Sequence, residues 1–312
     1  MATRDVVART GPFLDEEVGS GRQRGLWIDA WRRMIKNRLA VAALVLIATM
    51  AFMAFVAAQV GPLARYEPQV LHPLDKQFGP GADYWFGTDQ LGRDLFARAM
   101  EGTRISLEIG LGAQMVVLLV GFSVGASAAL GGKWSDNVMM RFADIMYSVP
   151  DILAIIMLRS VLIGHSWPII TNKRMIIILA IGLVQWTTVA RLIRGQMLSL
   201  AERDFVLAAR AMGAPKWRIV MQHMLPNTLG PVIVALTFGI PAAIFAEATL
   251  GFLGLGLPPP AASLGILVSD GYGRIEVNVW NVVWPAGAIA MLMLGFTFIG
   301  DGLRDALDPR SR

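Results

Sequence analysis

Along this chain, apolar residues gather into long windows separated by short charged stretches. Six windows approach or exceed the roughly 20 residues that cross the hydrocarbon of a bilayer as a helix. They are 39–60, 105–130, 138–163, 175–190, 229–257 and 279–300. The pattern predicts an all-α membrane protein with six transmembrane helices. The fourth window is short and is expected to borrow residues beyond Arg191.

Basic residues set the expected orientation, because Lys and Arg are retained on the cytoplasmic side of short loops. Arg32, Arg33, Lys36 and Arg38 crowd the start of the first window, behind Arg4, Arg9, Arg22 and Arg24. That end is therefore expected in the cytoplasm, and six crossings return Arg304, Arg310 and Arg312 to the same side. The predicted organisation is a cytoplasmic N-terminal segment (1–38), a first helix with a long extracytoplasmic loop (39–104), a five-helix core (105–303) and a cytoplasmic tail (304–312). The core includes a cytoplasmic loop at 191–228. No small-residue cleavage site follows the first apolar stretch, so it reads as a retained anchor.

Composition narrows the function. Of 312 residues, 55% are hydrophobic and 16% charged, against roughly a quarter charged in soluble domains. The net charge of +5 falls mainly in loops flanking apolar windows, which argues topology rather than nucleic-acid binding. Without cysteine there is no disulfide, thiolate metal site or Cys nucleophile. No Gly-rich loop precedes a Lys-Ser or Lys-Thr pair, so no ATP site is expected on this chain. His72, His165 and His223 lie far apart and on different predicted sides, which excludes a shared metal site. "GFLGLG" at 251–256 lies in an apolar window with no preceding strand; its glycines suit close helix approach or local unwinding. A membrane enzyme would need a clustered nucleophile, metal set or acid–base pair, and none is evident. A stand-alone secondary transporter is the rival reading, but neither an internal repeat nor paired intramembrane ionisable groups is visible.

Charges at membrane depth are Glu108, Arg141, Asp144, Glu247 and Asp301. Arg141, Asp144 and Asp301 are expected near an interface, where snorkelling is cheap. Glu247 lies deeper, in a window with Pro231, Pro241, Gly251, Gly254 and Gly256; it either lines a pathway or satisfies a neighbouring helix.

One polar stretch stands out, "LAARAMGAPKWRIVMQHMLPN" at 207–227. Phe205, Ala208, Ala209 and Met212 are spaced to form one apolar helical face, while Arg203, Leu207 and Arg210 neighbour one another on the opposite side. Gly213-Ala214-Pro215 is expected to stop this helix and start a second, with Gly as a left-handed cap and Pro in a first turn. In the second helix Trp217, Val220, Met221 and Met224 repeat the apolar spacing, and Pro226-Asn227 is expected to end it. Such a hairpin either rests on the lipid surface or docks into a partner.

These residues resemble the cytoplasmic loop of permease subunits of ATP-binding-cassette (ABC) importers: Glu-Ala-Ala, three residues, Gly, nine residues and, in the peptide branch, His-x-x-Pro-Asn. Ala208, Ala209, Gly213, His223, Pro226 and Asn227 fit that spacing. "FGTDQLGRDLFARAMEGTRISLEIGL", "EATLGFLGLGLPPP" and "GDGLRDALDPR" are similar to further signatures of the C-type dipeptide and oligopeptide permeases. The resemblance implies a type I ABC importer permease architecture in a bacterial or archaeal cytoplasmic membrane. It also implies a second, homologous permease, two cytoplasmic ATPase subunits carrying ATP and Mg, and an extracytoplasmic binding protein. No cofactor is expected on this chain. Peptides are the leading substrate class, with nickel complexes, glutathione or another small solute as alternatives. By the same resemblance Arg203, Leu207, Ala208, Ala209, Arg210, Gly213, Pro215, His223, Pro226 and Asn227 would couple to an ATPase, and 61–104 and 258–278 would meet the binding protein. Glu247, Gly251, Gly254 and Gly256 would line the pathway or pack helices. The chain departs from the motif at Leu207, where the family has Glu. Docking is then expected to rest on the Ala face and on Arg203 and Arg210 contacting acidic groups.

Overall fold

A computed structural model describes residues 26–57, 65–164 and 172–307. The helices are α1 (Leu26–Lys36), α2 (Arg38–Phe52), α3 (Leu95–Leu130), α4 (Gly132–Ser148), α5 (Asp151–Gly164), α6 (Lys173–Ala201), α7 (Asp204–Ala211), α8 (Lys216–Ile219), α9 (Leu225–Phe252), α10 (Leu264–Tyr272) and α11 (Trp280–Leu307). Among the described residues the only β pairing is one isolated bridge, Thr88 to Asp94.

Five helical stretches are long and apolar enough to cross a membrane: Arg38–Val56, Leu95–Leu130, Lys173–Ala201, Lys216–Phe252 and Trp280–Leu307. The expected crossing at 138–163 differs. It is two helices, α4 and α5, bent by 99°. At roughly 1.5 Å per residue, neither the 17 residues of α4 nor the 14 of α5 spans about 30 Å alone, so only the pair makes a sixth crossing. The cause is local: Pro150 has no N–H and disfavours helical backbone at Val149, which is extended at φ −87°, ψ 133°.

Other boundaries move for equally specific reasons. The second crossing starts at Leu95 rather than 105, because Asp94 caps it by accepting from Phe96 N and Ala97 N, at 3.4 and 3.1 Å. Arg98, Glu101 and Arg104 hide that first turn from hydropathy. The fourth runs to Ala201, well past Arg191. The expected break at Pro226-Asn227 does not occur: α8 continues through a π turn, Val220–Met224, into α9, with Pro226 in its first turn. A proline is tolerated there because the π turn already interrupts the ladder it would otherwise break.

Glycines let the central helices approach. α3 and α6 run parallel, and a Cβ on Gly121 would lie 3.1 Å from the Trp186 carbonyl oxygen, while one on Gly182 would lie 2.7 Å from Val116 Cγ1. Apolar layers of Ile105, Ile109, Ile177, Ile181 and Leu250 fill the seam with α9. In lipid, such close packing of small residues takes over part of the role that the hydrophobic effect has in water. The C-terminal ends of α3 and α6 gather at one end of the bundle with the start of α9, where Ala126, Ala129, Met197, Met224 and Val232 pack together, and Leu307 at the end of α11 lies 3.9 Å from a Cβ placed on Gly230. There α1, unanticipated inside the polar N-terminal segment, packs Ala30 and Met34 on Ala40 and Ala306 and turns Ile28, Trp31 and Ile35 outward. Residues 65–94 and α10 cap the opposite end.

Candidate functional site

At the first end, α7 and α8 form a hairpin. Gly213, at φ 79°, closes α7: Ala214 N donates to the Ala209 carbonyl at 3.1 Å and Gly213 N to the Arg210 carbonyl at 3.0 Å. This pair of bonds is a Schellman cap, which fixes the chain's exit direction. The anticipated apolar face is split. Val206 and Ala209 turn inward with Ile219 and Met224, against Val189, Ile193 and Met197. Phe205, Leu207, Ala208 and Met212 turn outward, as do Trp217 and Met221; Met212 is 82% exposed and Trp217 69%. Of the second expected face, only Met224 is fully buried, and Val220 is half-buried. Arg203, Arg210 and Lys216 are exposed, and none has a carboxylate within ion-pair distance among the described residues. Asn227 Nδ2 donates to the His223 carbonyl at 2.6 Å, and the Phe205 ring lies 6.2 Å from His223, tying α7 to the π turn. Pro215 is the extended residue that opens α8.

A second feature was not singled out in the sequence. A cavity of about 280 Å³ opens between α3, α6, α9 and the α4–α5 bend, and its polar lining comprises Gln114, Tyr147, Asp151, Gln185, Thr187 and Thr188. Thr187 is the midpoint of α6, and Gln114 and Gly239 lie near the midpoints of α3 and α9. The cavity is thus at mid-depth. Gln114 Nε2 donates to the Gly239 carbonyl at 3.0 Å, leaving its oxygen as acceptor. Asp151 is exposed and has no hydrogen-bond or ion-pair partner among the described residues. A carboxylate at mid-membrane costs roughly 2.5–3.5 kcal/mol on insertion scales, and its place in the first turn of α5 offsets only about 0.3–1 kcal/mol. The remainder requires water or a cation. The nearby Arg191 is already engaged, 3.2 Å from Asp144 and over the Tyr147 ring at 4.6 Å. The signal available in sequence was Pro150-Asp151, a helix restart with an acid in its first turn. Further along α5, Arg159 Nη2 donates to the Gly256 carbonyl at 2.9 Å and borders, with Lys173, another cavity of about 550 Å³.

Of the remaining intramembrane charges, those within the bundle have partners. Glu108 bridges Arg104 at 2.9 Å and Arg174 at 2.6 Å, joining α3 to α6. Asp136 and Arg194 form a bidentate pair between α4 and α6. Arg141 and Asp301 are exposed. Glu247 is 0% exposed and accepts from Ser106 Oγ at 2.8 Å, enclosed between helices rather than open to the cavity. Gly251 lies where α9 meets α10: a Cβ there would be 2.9 Å from Ile266 N, and one on Gly256 would be 2.8 Å from Gly251 Cα. Gly254, at φ 74°, is a second Schellman cap, with Leu255 N donating to the Leu250 carbonyl at 2.8 Å.

The opposite cap is cross-tied by ion pairs, hydrogen bonds and ring stacking, although Arg98 Nε and Nη1, His72 Nε2 and Trp284 Nε1 are buried without a hydrogen-bond partner among the described residues. Asp89 accepts from Leu91 N, Arg93 N and Arg93 Nε, the last at 2.7 Å. Arg98, 2% exposed, lies 3.6 Å from Asp89 and 3.8 Å from Asp270, joining the loop, α3 and α10. Asn278 Nδ2 donates to the Phe78 carbonyl, and Phe86 stacks on Trp284 at 4.1 Å. Burial raises Asp94 above the ordinary carboxylate range, opposed by hydrogen bonds from Ala97 N and Phe96 N. It raises the Tyr84 hydroxyl likewise, with added push from Asp75.

Comparison with known proteins agrees with this architecture. The family described as "Binding-protein-dependent transport system inner membrane component" matches residues 117–312, and "N-terminal TM domain of oligopeptide transport permease C" matches 25–79. The oligopeptide transport system permease protein OppC of Bacillus subtilis is 40% identical over 96% of this chain and 94% of its own length. The dipeptide permease DppC of the same organism is 41% identical over 91% and 86%, and OppC of Haemophilus influenzae is 39% identical over 99% and 96%. Among solved structures, an inward-facing MetNI methionine ABC transporter shares the fold, with TM-score 0.52 and 22% identity over 66% of this chain and 94% of that one. The chain therefore belongs to the permease subunits of ABC importers, in their C-type dipeptide and oligopeptide branch.

Proposed function

We propose that this chain forms half of the transmembrane pathway of a binding-protein-dependent, ATP-driven peptide importer, and that the α7–α8 hairpin is its cytoplasmic seat on an ATPase subunit. The observation that carries the second part is the hairpin's outer surface. Phe205, Leu207, Met212 and Trp217 are exposed beside the unpaired Arg203, Arg210 and Lys216, on a helix pair whose inner face is anchored in the bundle. Apolar anchors flanked by cations suit a partner surface with a groove and acidic rim. In place of the family's Glu, Arg203 and Arg210 supply the electrostatic contact, and to acidic groups on the partner instead of basic ones. The homologous second permease completes the pathway, and the extracytoplasmic binding protein meets the cap formed by 65–94 and α10. ATP and Mg belong to the ATPases. Nucleotide closure moves the hairpin as a rigid body, and the bundle rocks between inward-open and outward-open states around the mid-depth cavity.

Gly213 provides the test. No heavy atom lies within 4 Å of a Cβ built there, so substitution acts through its left-handed backbone and not through a clash. In vesicles containing the assembled importer, Gly213→Val is expected to lower peptide uptake per ATP by about tenfold, while Gly213→Asn, which tolerates that conformation, stays near wild type. Equal uptake per ATP in both variants would overturn the coupling role. Wild-type vesicles importing a nickel complex or glutathione but no peptide would overturn the substrate class.

A further inference from the structure

We propose that Asp151 is a substrate-contacting residue that pairs with the protonated amino terminus of a peptide as it crosses the middle of the membrane. The inference rests on the peptide-importer reading and makes it more specific. Three observations converge on this residue. First, Asp151 opens into the polar cavity at the mid-length of α3, α6 and α9, where an isolated carboxylate needs a cation or water. Second, no cation among the described residues of this chain serves it: Arg191 is engaged by Asp144 and Tyr147, and Asp151 has no ion-pair partner among those residues. Third, its neighbours Gln114, Gln185, Thr187 and Thr188 are neutral groups that donate and accept hydrogen bonds, the chemistry that matches successive peptide N–H and C=O groups.

A single carboxylate beside amide and hydroxyl groups suits a primary ammonium. The Pro150 break places it: α4 is tied to α6 through Asp136–Arg194 and Asp144–Arg191, α5 packs on α6 through Ile155, and the bend between them projects Asp151 into the cavity.

Because the chain has no cysteine, Asp151→Cys introduces its single thiol. In vesicles with the complete importer and its binding protein, Asp151→Cys is expected to reduce uptake of a dipeptide with a free amino terminus by about tenfold, the scale of one lost charge-assisted hydrogen bond. An anionic sulfonatoethyl thiosulfonate restores uptake by returning a negative charge, a cationic trimethylammonium reagent does not, and Asp151→Glu transports near the wild-type rate. Wild-type complex treated with each reagent is the control. Equal effects of the two reagents, or wild-type uptake by untreated Asp151→Cys, would overturn the proposal. Loss of assembly in Asp151→Cys and Asp151→Asn alike would also overturn it, since the role would then be structural. Wild-type vesicles that import no peptide would sink the importer reading and this inference together, a result distinct from any behaviour of the variants.

Discussion

The two ends of this bundle solve opposite problems. The cap formed by 65–94 and α10 pairs its central charges within the chain: Asp89 gathers three donors, Arg98 lies between Asp89 and Asp270, and Phe86 stacks on Trp284, while Leu74 and Tyr272 remain exposed. The hairpin end leaves Met212, Trp217 and three cations facing outward without partners. The cap's central charges are paired within the chain; the hairpin's cations are not. The difference teaches where stability and assembly reside, and mutations should separate them.

The largest effect is expected at the cap. Arg98→Ala removes a long side chain that is almost fully buried between the loop, α3 and α10, and the void left by a loss of that kind costs about 2–5 kcal/mol. Thermal unfolding of the purified chain should show it as a large drop in midpoint; a change below about 1 kcal/mol would mean that Arg98 is not a structural tie. At the hairpin, Met212→Ala with Trp217→Ala should leave thermal stability within about 0.5 kcal/mol, because both side chains already face outward. The same double variant should recover about tenfold less ATPase on co-purification. A stability loss with unchanged ATPase recovery would reverse the comparison. The smallest effect is expected for Leu207→Glu, which restores the family's acid between Arg203 and Arg210. Exposed pairs of this kind contribute about 0.2–1 kcal/mol, so peptide-stimulated ATP hydrolysis should change by no more than a few fold. A tenfold rise would show that packing and arginines do not replace the acid.

Much of this arrangement was legible from one-dimensional patterns, where local chemistry is decisive. Gly213 announced the turn because few other residues adopt its left-handed backbone cheaply, and Pro215 because a residue without an N–H suits the start of a helix and not its interior. The apolar windows located every crossing approximately, since length and transfer free energy are properties of sequence alone. What escaped depended on tertiary placement. Hydropathy averaged over 138–163 could not register a 99° bend, although Pro150 marked its position. Val206 rather than Phe205 faces inward because the ends of α3 and α6 lie on that side of α7, which no periodicity in α7 can specify. Gln114 and Thr187 are 73 positions apart and become neighbours only through the glycine seam of α3 and α6. The ambiguity at Glu247 was likewise tertiary: Ser106, 141 residues away, encloses it.

The π turn between α8 and α9 makes Lys216–Phe252 one shaft of 37 residues, roughly 55 Å from tip to tip. Tilting such a shaft by about 10° about one end would sweep the other through roughly 10 Å if it were stiff. Its far end meets α10 at the Gly251 crossing, so leverage applied to the hairpin arrives directly beside the opposite cap. Pro231 and Pro241 lie along the way, at the places where a helix yields most readily. If the hairpin is moved by an ATPase as proposed, the compliance of those two joints governs how much of that movement reaches the far end of the shaft.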